Sequence, residues 1–388
     1  MRTSDVRTQS ATPERAAKVA GLIYVSDNVP GISRQRAGKS FAYRTAKGSK
    51  LSDPKQMARI RQLAIPPAWQ EVWICPQKDG HLQATGRDEK GRKQYRYHPS
   101  WNEVRNEAKY ERVIAFGTAL PKIRRRVTRD LKRPGMVREK VMATLVRLLE
   151  STLIRVGNDE YADQNGSYGL TTLHNRHATV RGREITFQFK GKSGKHHEIT
   201  VQDPRLAKLV RKCQELPGQD LFGYIDDQGV VRDVTSDDVN AYLRDVAGGD
   251  FSAKDFRTWA GTILAAVALR EFESFNSERE AKRNVVTAIE SVAKMLGNTP
   301  TVCRRCYVHP AILDGYLSGQ TIATLKQAAD EKILGSLARL KPEEAAVMML
   351  LRERLSQTRS TGKRQRASTL TRGSNAVLKV SRSRKVSK

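Results

Sequence analysis

Apolar positions along this chain follow two periods, and the switches between them predict its elements. From Gly21 to about residue 100 they come in short pieces broken by Pro and Gly: the pulse GLIYV, then Trp73, Cys75 and Leu82. Such pieces predict a small antiparallel sheet. Asp53 before Pro54 predicts the capped start of a short helix. Alternation puts Tyr95 and Tyr97 on one face of a strand. From about Trp101 the texture becomes helical. Val137, Val141, Leu145, Leu148, Leu149 and Leu153 recur at helical steps, predicting a core-facing helix from Met136 to Arg155.

Residues 170–203 switch to period two. Ile185, Phe187 and Phe189 alternate, as do Ile199 and Val201, with Gly191-Lys192-Ser193-Gly194 between them. This predicts a β-hairpin with Lys192 at its tip. Helical spacing then returns over Asp237–Val246, Phe256–Phe275 and Ser277–Leu296, with Gly297 as the stop of the third. Two further helices are predicted near 320–334 and 342–357. Residues 1–20 are polar, and 358–388 hold ten Lys or Arg and no acid, so both ends are expected to be disordered.

Charge narrows the function. The net charge of +29 favours a polyanionic partner, nucleic acid first and an anionic membrane surface second. No run of about 18 apolar residues occurs, so no membrane span is expected. The first residues lack the apolar core of a secretory signal. Four cysteines in 388 residues make no disulfide framework, which points to a reducing cytoplasm. AGKS at Ala37–Ser40 lacks the earlier glycine of a phosphate loop. His174 and His177, or His196 and His197, have no matching ligands, and Cys303-Arg-Arg-Cys306 has no second pair, so no metal is expected.

Five residues stand in a telling order: Arg155 near a helix end, Lys192 at a hairpin tip, Arg257 at a helix start, Asn298, and Tyr307 nine residues later, with Arg304, Arg305 and His309 nearby in sequence. They lie in RVGNDEYA (155–162), FKGKSGKHHE (189–198), KDFRTWAGT (254–262) and LGNTPTVCRRCYVHP (296–310); GISRQRAGKSFAY (31–43), GRDEKGRKQYRYHP (86–99) and YGLTTLHNRH (168–177) accompany them. Together these resemble the type IB DNA topoisomerases, in particular the bacterial and poxvirus-like branch, over about residues 22–320. The departure is Asn298, where poxvirus-like members usually carry histidine. An amide donates a hydrogen bond but cannot shuttle a proton.

The resemblance implies an α+β protein: a small antiparallel β-sheet N-terminal domain (21–105), a mostly α-helical catalytic domain (106–357) carrying a β-hairpin or three-stranded sheet, and disordered ends (1–20, 358–388). The two domains would close around duplex DNA as a clamp, linked near residues 100–118. Arg155, Arg257 and Asn298 would stabilise phosphate charge, Lys192 would be the general acid and Tyr307 the nucleophile. The product would be a 3′-phosphotyrosyl enzyme, with neither ATP, metal nor cofactor required. Lys90, Arg92, Lys93, Tyr95, Tyr97 and Tyr161 would contact DNA. A monomer, cytoplasmic and nucleoid-associated, is expected. Two alternatives remain. A tyrosine recombinase uses the same chemistry, but typically has histidine three residues before the second arginine, where Lys254 stands here. A non-enzymatic basic DNA-binding protein would explain the charge and leave the ordered set as coincidence.

Overall fold

The computed structural model describes residues 13–38, 40–272, 275–319 and 339–356. The chain divides into two compact units, one ending at Tyr110 and the other starting at Glu111. The first holds helix α1 (Pro13–Val19), strands β1 (Ile32–Ala37) and β2 (Ser40–Arg44), helix α2 (Pro54–Gln62), and strands β3 (Gln70–Ile74), β4 (Leu82–Arg87) and β5 (Lys93–Tyr97). The strands form one antiparallel sheet in the order β2-β1-β3-β4-β5. Its core is Ile32, Val72, Ile74 and Ala84 from the sheet, closed by Ile60 of α2. Asp53 caps α2 as expected, its carboxylate accepting from Lys55 N at 2.9 Å.

One expectation is corrected here. Residues 13–19 are helical, not disordered: Pro13 opens α1, and Ala17 is fully buried against Leu22 and Trp101. The short period and polar ends of this segment conceal a small-residue face that needs a distant tryptophan to become a core. The segment near 100–118 holds the boundary between the units. It belongs to α3 (Pro99–Asp130), a 32-residue helix.

After α3 the second unit holds α4 (Arg138–Thr152), α5 (Asp159–Asn165), β6 (Ala178–Arg181), β7 (Glu184–Lys190), β8 (His196–Gln202), α6 (Pro204–Gln214), β9 (Gly223–Ile225), β10 (Val231–Asp233), α7 (Ser236–Ala247), α8 (Ala253–Arg270), α9 (Glu278–Met295), α10 (Pro300–Cys306) and α11 (Pro310–Leu317). A further helix, α12, spans 342–356. The expected helix near 320–334 and the tail lie outside the described residues. Helix α4 is the centre of the core. Val141, Leu145, Leu148 and Leu149 are almost fully buried among α7 and α8, each contributing on the order of 1.5–3 kcal/mol. The three-stranded antiparallel sheet β6-β7-β8 lays Ile185 and Phe187 against Leu206, Ala207 and Val210 of α6.

Candidate active site

Two helix ends and one arginine organise the site. Helix α4 stops at Leu153, whose left-handed backbone (φ 57°, ψ 17°) turns its carbonyl out of the helix. Helix α9 ends in a Schellman motif: Gly297, at φ +61°, donates to Lys294 O at 3.1 Å, and Asn298 N donates to Ala293 O at 2.9 Å. Arg257, in the second turn of α8 and only 4% exposed, joins the two ends. Its Nη1 donates to Leu153 O and its Nη2 to Leu296 O at 2.7 Å. C-terminal carbonyls carry partial negative charge, so a cation lodged between two of them is favourably held.

Once the side chain is so anchored, Arg257 Nε is buried with no hydrogen-bond partner. Asn298 matches it. Its Oδ1 accepts from Arg155 Nη2 at 2.5 Å, leaving Nδ2 buried and unpartnered. Burial, joined by the Arg155 charge, pushes the Arg257 guanidinium below its ordinary value, while Tyr307 pulls the other way. A guanidinium starts so high that it stays charged at neutral pH.

Tyr307 is the C-cap residue of α10, which begins only two residues after Asn298 with Thr299 as N-cap and Pro300 next. The Arg257 guanidinium carbon lies 5.1 Å from the Tyr307 ring centroid. Arg304 and Arg305, its neighbours in sequence, are exposed, and His309 is buried as the N-cap of α11. Lys192 stands exposed in a single 3-10 turn between β7 and β8, and lines the same cleft as Arg155, Tyr168, His197 and Arg257. Four predicted residues thus meet directly in pairs, Arg155 with Asn298 and Arg257 with Tyr307, and Lys192 lines one cleft with the two arginines.

Family comparison matches a part of each unit. Residues 98–333 match the model of the "Eukaryotic DNA topoisomerase I, catalytic core", and residues 40–88 match the "Bacterial DNA topoisomerase IB, N-terminal domain". The chain is 31% identical over 293 residues to DNA topoisomerase 1B of Acanthamoeba polyphaga mimivirus, covering 74% of this chain and 87% of that protein. Against DNA topoisomerase 1B of Vaccinia virus (strain Copenhagen) it is 25% identical over 234 residues, 59% of this chain and 70% of the relative. The chain belongs to the type IB DNA topoisomerases. It is thus an enzyme that relaxes supercoiled DNA.

In this type IB topoisomerase the expected DNA-contact residues of the sheet form a group of their own on the first unit. Tyr95 and Tyr97 stack with ring centroids 5.9 Å apart and 7° between planes, so they do share a face. Lys90 is exposed. Arg92 and Lys93 are not free cations: Arg92 pairs with Asp88 at 2.7 Å and Lys93 with Asp27 at 2.6 Å. The Arg92 hydrogen bond holds the Asp88 carboxyl down at about 2. Tyr161 is the third residue of α5; its side chain lies outside what the structure describes.

Three residues of the topoisomerase site escape the sequence reading. Gly261 lies one helical turn beyond Arg257, and a methyl there would fall 2.8 Å from Tyr307 O and 3.1 Å from Tyr307 Cβ. Thr262 follows, donating to Tyr307 O at 3.3 Å and accepting from His309 N at 3.2 Å. The i+4 spacing in KDFRTWAGT places Gly261 on the face of Arg257 and was the available signal. His197, the third, is considered below. Cys303 is buried beneath the site and burial pushes its thiol up to about 11, so it is protonated at neutral pH; Cys303 and Cys306 are both free thiols.

Proposed function

We propose that this topoisomerase cuts one strand of duplex DNA by attack of the Tyr307 phenol oxygen on a phosphodiester. The Tyr307–phosphorus bond forms as the bond to the 5′-oxygen breaks, the phenol gives up its proton, and Lys192 supplies one to the leaving oxygen. The other strand end stays attached as a 3′-phosphotyrosine. The exchange of one phosphodiester for another conserves its energy, so resealing is the reverse attack by the 5′-hydroxyl. Between the two steps the free end swivels.

The observation that carries this reading is the pair of buried, unpartnered donors, Arg257 Nε and Asn298 Nδ2, beside Arg155 and the Tyr307 ring. Buried donors without acceptors are costly. Two non-bridging phosphate oxygens would satisfy both, and preorganised donors act most strongly on charge that grows in the transition state. The reading includes action as a monomer on chromosomal DNA. Relaxation of supercoiled plasmid in EDTA without ATP is the test. The wild type should relax it and Tyr307→Phe should not; equal activity of the two would remove Tyr307 from its role.

A further inference from the structure

The imidazole of His197 sits between the two segments that carry Lys192 and Asn298. On one side is Gly191, the residue before Lys192: a methyl there would fall 2.6 Å from His197 Cδ2. On the other is Gly297, the residue before Asn298: a methyl there would fall 2.6 Å from His197 Cε1. The ring also stacks on Phe189, centroids 5.2 Å apart and 21° between planes. The β7–β8 hairpin thus meets the α9–α10 turn through a flat ring pressed between two glycines. A second tie runs beside it, with Lys195 Nζ donating to Asn298 O at 3.4 Å. Among the described residues the Lys192 side chain makes no such contact, and within its turn the backbone closes through Gly191 N to Lys195 O at 2.7 Å and Gly194 N to Gly191 O at 3.1 Å.

We propose that His197 is a positioning residue for the general acid: its neutral ring sets where the Lys192 turn stands relative to Asn298, and so whether the lysine reaches the leaving oxygen. The inference rests on the proposed roles of Lys192 and Asn298. Its surroundings keep the ring uncharged. Burial, then Arg155, Arg257 and Lys195, all push its pKa below the ordinary histidine value. A charged ring among these cations would repel the segments it joins.

The test uses two DNA substrates, one with the natural 5′-oxygen at the cut and one with sulfur in its place. A thiolate leaves without needing a proton, so a defect confined to proton delivery disappears on the sulfur substrate. Single-turnover cleavage is measured for wild type, Lys192→Ala and His197→Ala. Both variants should be slowed on oxygen, Lys192→Ala by on the order of 100-fold and His197→Ala by at least about 10-fold. Both should return to near the wild-type rate on sulfur. If Lys192→Ala is rescued and His197→Ala is slowed equally on both substrates, or is not slowed at all, the proposal fails while the role of Lys192 stands. If Lys192→Ala is not rescued, the general-acid reading itself fails. His197→Gln provides the same comparison should the alanine variant not fold. A double-mutant cycle adds a readout of geometry: Gly191→Ala should slow cleavage of the oxygen substrate in the wild type, but add little in a His197→Ala background. Additive losses would count against contact between the two as the cause.

Discussion

Tyr307 is held from behind as well as faced from the front. Gly261 and Thr262 of α8 touch its backbone, so the helix that carries Arg257 also fixes the tyrosine. Gly261→Ala inserts a methyl where the nearest obstacle is backbone, which cannot rotate away. The expected result is a loss of about 1–3 kcal/mol in stability together with slower strand cleavage. Denaturant melts and single-turnover cleavage check it; a variant with unchanged stability and rate would show that the Tyr307 segment yields freely. The sequence could place Arg155, Lys192, Arg257, Asn298 and Tyr307 in order, because each sits beside a readable element end. It could not show that Arg257 spends both terminal nitrogens on helix carbonyls, because those carbonyls come from helices more than 30 residues distant in sequence.

At the scale of elements, periodicity served well where burial was one-sided. The alternation in β7 follows its predicted face and Gly297 ends α9 as expected, whereas α4 is buried all round over 140–146, beyond its predicted stripe. The Ala-rich face of α1 was not legible, since small residues give no contrast in pattern. The last described helix, α12, packs Val347, Met348 and Leu351 into the core of the second unit and adds one buried carboxylate. Glu344 accepts from Arg124 at 2.7 and 2.8 Å, from Trp259 Nε1 at 3.3 Å and from Lys341 N at 3.0 Å. Trp259 lies two residues beyond Arg257 on α8. Glu344→Ala should therefore cost roughly 2–3 kcal/mol, less than the usual about 3–5 for half of a buried pair because Glu150 still holds Arg124. Urea denaturation reads this directly, and a change in unfolding free energy smaller than about 0.5 kcal/mol would mean that α12 is held by its apolar face alone.

For the whole molecule, three histidines give acid sensitivity. His81, His177 and His197 all have depressed pKa values, with burial the first cause in each and nearby cations adding to it. In the unfolded chain they take up protons near pH ~6.5. The native protein resists, so just below that pH the unfolded state binds more protons. Stability is therefore fully present above about pH 6.5 and is lost as the pH falls towards the native pKa values. Melting temperature should drop between about pH 7 and pH 5, before the paired carboxylates of Asp88 and Asp130, which are held low, begin to protonate. Asp220, raised by burial and by Asp233, opposes the trend with a single carboxyl. A flat profile across that range would contradict the burial of these rings. Replacing His197 by a neutral residue should shallow the slope.

The two unsatisfied nitrogens beside Arg155 and Tyr307 bear on what happens after the strand is broken. A phosphoryl group joined to Tyr307 still presents its two free oxygens, so on the proposed reading the same N–H groups remain occupied in the cut state. Releasing the severed end would leave both donors empty again, at a cost on the order of 1–3 kcal/mol each. On that reading the phosphoryl end stays fixed while the 5′ end turns, and retention of the cut strand is built into the hydrogen-bond demand of the resting enzyme.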